Sequence, residues 1–142
     1  MPARSKLVIA GLALAGVALF VVAGVVGSGS DDDESVRRAE GIISITPARG
    51  AEVLKQEAVG VQLEPEFRLV SMRIFDTPTL AGGIDVTSAV HEFEGINRFV
   101  FAPGEGQPVE EHSADDNCVV IVIEDITRPG DLDDFDWCFT AS

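Results

Sequence analysis

The chain has no tyrosine, one tryptophan, two cysteines, two histidines and only ten basic residues in 142. Each shortage closes a class of function. Ten lysines and arginines against 24 acids leave a net charge of −14, which repels phosphate backbones and anionic headgroups and argues against nucleic-acid binding. Carbohydrate-binding faces display Trp and Tyr; here the single Trp137 falls in a core pattern. A two-cysteine metal site needs histidine or carboxylate partners at set spacing, and His91 and His112 show none. No serine stands in a nucleophile motif. Any two of 24 carboxylates could be named as a glycosidase pair, so none is a signal. Nothing here points to an enzyme or to a cofactor.

One long apolar run is present. Leu7–Val26 holds 20 residues without a charge, and as a helix it spans about 30 Å, the thickness of a hydrocarbon core. Arg4 and Lys6 precede it and Asp31-Asp32-Asp33-Glu34 follow, which places the N-terminus inside and the rest outside. A cleaved signal peptide has a shorter apolar core of about 7–15 residues, so an uncleaved signal anchor is expected. No cysteine near the end of the run offers a lipoprotein anchor. The expected organisation is a cytoplasmic head at 1–6, an anchor in the lipid bilayer at 7–27, a flexible acidic linker at 28–40 and one folded domain at 41–142. Every acid lies after Ser30, where eight basic residues face 24 acidic ones, a balance of −16.

The folded part is organised around Asn117–Phe139. Val119–Ile123 is one β-run; Phe135, Trp137 and Phe139 alternate in a second; Arg128-Pro129-Gly130 between them reads as a turn. Centring the turn on Arg128 sets Cys118 opposite Cys138, Val119 opposite Trp137 and Ile121 opposite Phe135. The aromatic face should be core. The Cys118–Cys138 disulfide should lie on the outward or edge-facing side, in an oxidising compartment.

Further strands are expected at Ile42–Thr46, Val59–Leu63, Phe67–Phe75 and Asn97–Ala102, with a short one through Leu80, Ile84 and Val86. Val59–Leu63 alternates as a half-buried strand. In Phe67–Phe75 the core set reads as Val70, Met72 and Ile74. Glu52–Glu57 could form one helical turn, and Pro103–Asn117 is an acidic loop. About seven short strands with turns between them predict an all-β, immunoglobulin-like two-sheet sandwich after one transmembrane helix.

Glu52-Val53-Leu54-x-Gln56, Gly95-x-Asn97, Pro103-Gly104-x-Gly106, Val109-Glu110-Glu111, Asn117-Cys118-Val119 and Trp137-Cys138-Phe139 together resemble a family of membrane-anchored actinobacterial extracytoplasmic proteins. The resemblance covers Ile42–Phe139 and implies the fold, the topology and the paired cysteines, without a mechanism. The opening Pro47–Val53 and Val59–Pro65 also resembles periplasmic copper-binding sandwich domains. Those use a histidine at the mature N-terminus and another in a late Asp-Gly-His segment. Here no histidine starts the domain and the late segment is Arg128-Pro129-Gly130-Asp131, so the copper site is not carried over.

The remaining chemistry is acidic. Asp131, Asp133, Asp134 and Asp136 could offer oxygens to calcium, joined by the Glu110–Asp116 loop if the two meet. The ordinary reading of such a hairpin is a solvated face. His91 and His112 are expected in exposed loops. The leading expectation is a non-catalytic interaction or structural module of the cell envelope with a protein partner; the alternative is a calcium-binding domain.

Overall fold

The computed structural model describes residues 34–76 and 83–142. The expected head, the anchor at 7–27, the first half of the linker and Leu80 lie outside the described residues.

The described residues form a β-sandwich of nine strands: β1 Ile42–Thr46, β2 Glu52–Val53, β3 Val59–Leu63, β4 Phe67–Asp76, β5 Ile84–Asp85, β6 His91–Phe93, β7 Arg98–Phe101, β8 Asp115–Asp125 and β9 Leu132–Ala141. One sheet has the order β1-β3-β7-β6 and the other β2-β9-β8-β4-β5. All pairings are antiparallel except β2 with β9.

The β8–β9 hairpin pairs as the turn centre requires. Cys118 faces Cys138, Val119 faces Trp137 and Ile121 faces Phe135, and the ladder runs on to Asp115 with Ala141 and Glu124 with Leu132. Val119, Ile121, Ile123, Trp137 and Phe139 are buried between the sheets. Facing them from the other sheet are Val59, Val61, Leu63, Phe99 and Phe101. Each such side chain contributes roughly 1.5–3 kcal/mol by leaving water. Cys118 and Cys138 alternate with these residues and so occupy the outer face, joined by a disulfide. By chain entropy, closing a loop with a sequence separation of 20 stabilises by about 3 kcal/mol.

Four expectations are corrected by the packing. Val70 is 41% exposed and is not core, because β4 changes register against β8 between Leu69 and Ser71. The extra residue of that β-bulge is Val70; Phe67 and Leu69 point inward before it, Met72 and Ile74 after it. β3 is buried along nearly its whole length, not half-buried, because it lies inside its sheet between β1 and β7. Gly60 makes this possible: a Cβ there would come within 2.7 Å of the Phe99 carbonyl oxygen. Glu52–Glu57 is no helical turn; β2 pairs with Thr140 and Ala141, and a reverse turn follows in which the Glu57 N–H bonds the Leu54 carbonyl at 2.9 Å. His91 lies in strand β6, which with β2 raises the number of strands among the described residues from the expected seven to nine.

The end of the expected linker is also ordered. Glu34–Arg38 forms a short helix, α1, whose Val36 joins the core and whose Arg38 pairs with Glu34. Composition hid this because one apolar side chain in an acidic stretch leaves no periodic signal.

The crossing from β3 to β4, between sheets, is held by Asn97. Its backbone is left-handed at φ 50°. Its amide donates to the carbonyls of Glu64 at 2.8 Å and Phe67 at 3.0 Å. Asn tolerates this backbone because its short polar side chain bonds locally. Replacing Asn97 by Gly keeps the backbone freedom and removes the amide, so Asn97→Gly should lose about 2 kcal/mol. Urea unfolding of the full chain measures it; an unchanged midpoint would show that only the φ angle matters.

Candidate functional site

Among the described residues, two groups of polar side chains are buried, one at each end of the long β8–β9 ladder. At the turn end, Glu124 and Asp125 close β8. The Asp125 carboxylate accepts from the Thr127 hydroxyl at 2.6 Å, the Thr127 N–H at 2.8 Å and Arg128 Nε at 2.7 Å. The Thr127 hydroxyl and then the Arg128 guanidinium hold its pKa down to about 2. Glu124 accepts the Gly130 N–H at 2.9 Å and pairs with Arg68. Those two bonds, the Gly130 amide first, also lower its pKa. Gly130 adopts φ 90°, which turns its N–H back toward Glu124. This network shapes a turn and leaves no open ligand position.

The predicted aspartates sit on this same end and do not converge. Asp131 pairs with Arg128 at 3.1 Å. Asp133 faces Ile123, whereas Asp134 and Asp136 face Val122 and Val120. Strand alternation therefore sends Asp133 to one side of β9 and the other two to the opposite side. The Glu110–Asp116 loop cannot join them, because Asp116 pairs with Thr140 six positions along β9 from Asp134, roughly 20 Å away. Among the described residues, no three His, Cys, Asp or Glu side chains are placed to hold a metal ion.

At the far end, His112 overturns the expectation of an exposed loop histidine. It is 1% exposed and meets the Phe139 ring edge-on at 4.9 Å. Its Nε2 lies 2.8 Å from the Glu57 carbonyl, and its N–H bonds the Lys55 carbonyl at 2.8 Å. A carbonyl only accepts, so Nε2 carries the proton and Nδ1 is a bare lone pair, which finds no partner. Burial pushes the imidazole pKa below its usual 6.5, outweighing the Glu57 carbonyl that favours protonation. Val109 is buried beside it in sequence, and this hydrophobic-x-x-His pattern was the one signal that the loop folds inward. His91 stays exposed, edge-on to Phe93 at 4.6 Å.

Ser113 and Asp76 adjoin His112, but the three do not make a nucleophile. The Ser113 hydroxyl donates to Asp76 Oδ2 at 2.8 Å, and the imidazole proton goes to Glu57. No bond joins serine to imidazole, so the base needed to activate the hydroxyl is directed elsewhere. Asn117, also buried, closes the segment: its amide donates to the Ser113 carbonyl at 2.8 Å and accepts the Ser113 N–H at 3.1 Å. His112, Ser113, Asn117 and Asp76 line a cavity with Glu111, Ile74, Ile84, Val109 and Gly83.

No protein-family model and no curated protein matches the chain. Among solved structures it is similar to CopC from Methylosinus trichosporium OB3b, with a TM-score of 0.53 and 13% identity over 73% of this chain and 94% of that one. At that identity the likeness carries the fold alone.

The two buried networks give stability a signed pH dependence. His112 stays neutral when folded, so its contribution is complete above pH 6.5 and declines as pH falls below that value. Asp125 contributes above its ordinary 3.8, and that contribution is lost as pH falls through about 2. Denaturant midpoints of wild type and His112→Gln, compared across pH 8 to 2, should differ by a margin that shrinks below about pH 6.5. For Asp125→Asn the margin should hold to about pH 4 and then shrink. A pH-independent margin for His112→Gln would mean that folding leaves the imidazole pKa unshifted, and a margin that grows as pH falls would mean that the imidazole is protonated in the fold.

Proposed function

We propose that this chain is a single-pass membrane protein, N-terminus inside. In this reading its immunoglobulin-like sandwich stands outside the cytoplasmic membrane as a non-catalytic interaction or structural module of the cell envelope. The observation that carries this reading is the Cys118–Cys138 disulfide. A structural disulfide persists in an oxidising compartment, and here it follows a 20-residue apolar run with positive charge before it and acids after it.

The fold and the surface agree with that role. A sandwich is the architecture of many cell-surface domains, and fold alone assigns no activity. The buried polar groups are engaged in holding turns and loops. A balance of −16 after Ser30 keeps the domain soluble and biases it toward partners with basic surfaces. The calcium reading has no such support, since its aspartates divide between the two faces of β9.

Capture from intact cells tests the proposal. With a tag after Ser142, a membrane-impermeant crosslinker should label the protein and enrich one envelope protein. A tag protected from the reagent overturns the topology. A labelled tag with nothing enriched overturns the partner role.

A further inference from the structure

We propose that the outer face of the β2-β9-β8-β4-β5 sheet is the contact surface for a second copy of this chain, stacked about a two-fold axis that runs along β8. β8 is the middle strand of the five. The ladders set the outward residues of its central part in rows: Arg73, Val120 and Asp136 in one, Ser71, Val122 and Asp134 in the next. Beyond them Arg68, Glu124 and Leu132 form a third. Within these rows the β4 column is basic, the β9 column is acidic, and valines stand between. The inward Val119 and Ile121 are 0% exposed under the second sheet, whereas Val120 and Val122 are only half-buried. The apolar surface extends to Val70, displaced outward by the bulge, and to Leu132; both are exposed.

Charge selects both the occupant and the axis. Sheets stack face to face with their strands aligned to within about 30°. Turning one copy about an axis across the strands lays β4 on β4 and β9 on β9, which sets arginine over arginine and aspartate over aspartate. Turning it about β8 lays β4 on β9. Arg73 then meets Asp136 of the second copy in its own row, twice by symmetry, while Val120 and Val122 meet their counterparts at the axis. Asp85, opposite Arg73 on β5, gives its Oδ1 to the Thr87 hydroxyl and N–H, and Arg73 stays exposed. A foreign partner would need the same two columns at the same spacing; a second copy carries them already. Three long strands about 4.8 Å apart and about 33 Å long give a footprint of roughly 500 Å² per copy, below the ~800 Å² of a standard interface. The acidity of the domain also opposes association, so the dimer is weak and reversible. This inference stands apart from the envelope role, which concerns other proteins.

Charge reversal in trans provides the test. Full chains carrying a donor or an acceptor fluorophore after Ser142 are mixed in a nonionic detergent, and energy transfer is followed against protein concentration. Transfer should rise saturably and fall when unlabelled chain competes. Arg73→Asp and Asp136→Arg, both at exposed positions, should each weaken the apparent Kd at least about tenfold, because like charges then face each other twice. Mixing the two variants should restore transfer, since each altered column then meets its opposite on the other chain. A wild type without concentration-dependent transfer overturns the proposal. So does transfer that survives in both variants, which would place the contact elsewhere in the chain, or a mixture of the two variants that shows none.

Discussion

The register of β8 against β9 is the constraint on which the domain depends. Ten residue pairs hold it, from Asp115 with Ala141 to Glu124 with Leu132. Because side chains alternate, a slip of β9 by one position would carry its Trp137 and Phe139 to the outer face and Cys138 inward, away from Cys118. The turn and the disulfide guard against that. At the turn, Asp125 gathers Thr127 and Arg128, and Glu124 takes the Gly130 amide. Midway along, the disulfide admits a single pairing.

Around that ladder the polar groups tie elements together. Arg49 reaches the Asp136 carbonyl and the Ser35 hydroxyl and lies over the Phe135 ring at 5.6 Å. One cation thus joins α1, the turn before β2 and the face of β9. Asp85 is similar, its pKa lowered chiefly by the Thr87 hydroxyl, while Thr87 in turn bonds the Met72 backbone on β4.

Much of the fold was legible in the residues. The hairpin could be read because its turn chemistry, aromatic alternation and cysteine pair agree on one register. The strand expected at Asn97–Ala102 was legible because its apolar residues alternate, and its Phe99 and Phe101 are buried. Val70 was not: a bulge inserts one residue, and alternation read through it assigns the wrong face. β6 escaped notice because three residues, His91–Phe93, carry too short a pattern. The resemblance to extracytoplasmic sandwich domains anticipated the architecture, which the likeness to CopC supports at the level of fold. The site was the least legible part. His112 is buried by contacts from Phe139 and Glu57, 27 and 55 positions away in the chain. Local composition, rich in acids, pointed instead to solvent.

The parallel pairing of β2 with the last residues of β9 has a mechanical consequence. A pull applied through Glu34 and Ser142 draws β2 and β9 along their own axes in opposite directions. The bonds from Thr140 N–H to the Ala51 carbonyl and from Ser142 N–H to the Val53 carbonyl, at 2.8 and 3.0 Å, lie across that direction. They are loaded together in shear and do not peel open one at a time. Behind them, the disulfide keeps the 20-residue span from Cys118 to Cys138 from extending at all. Under tension the sandwich therefore behaves as a clamped link whose compliance lies outside the hairpin.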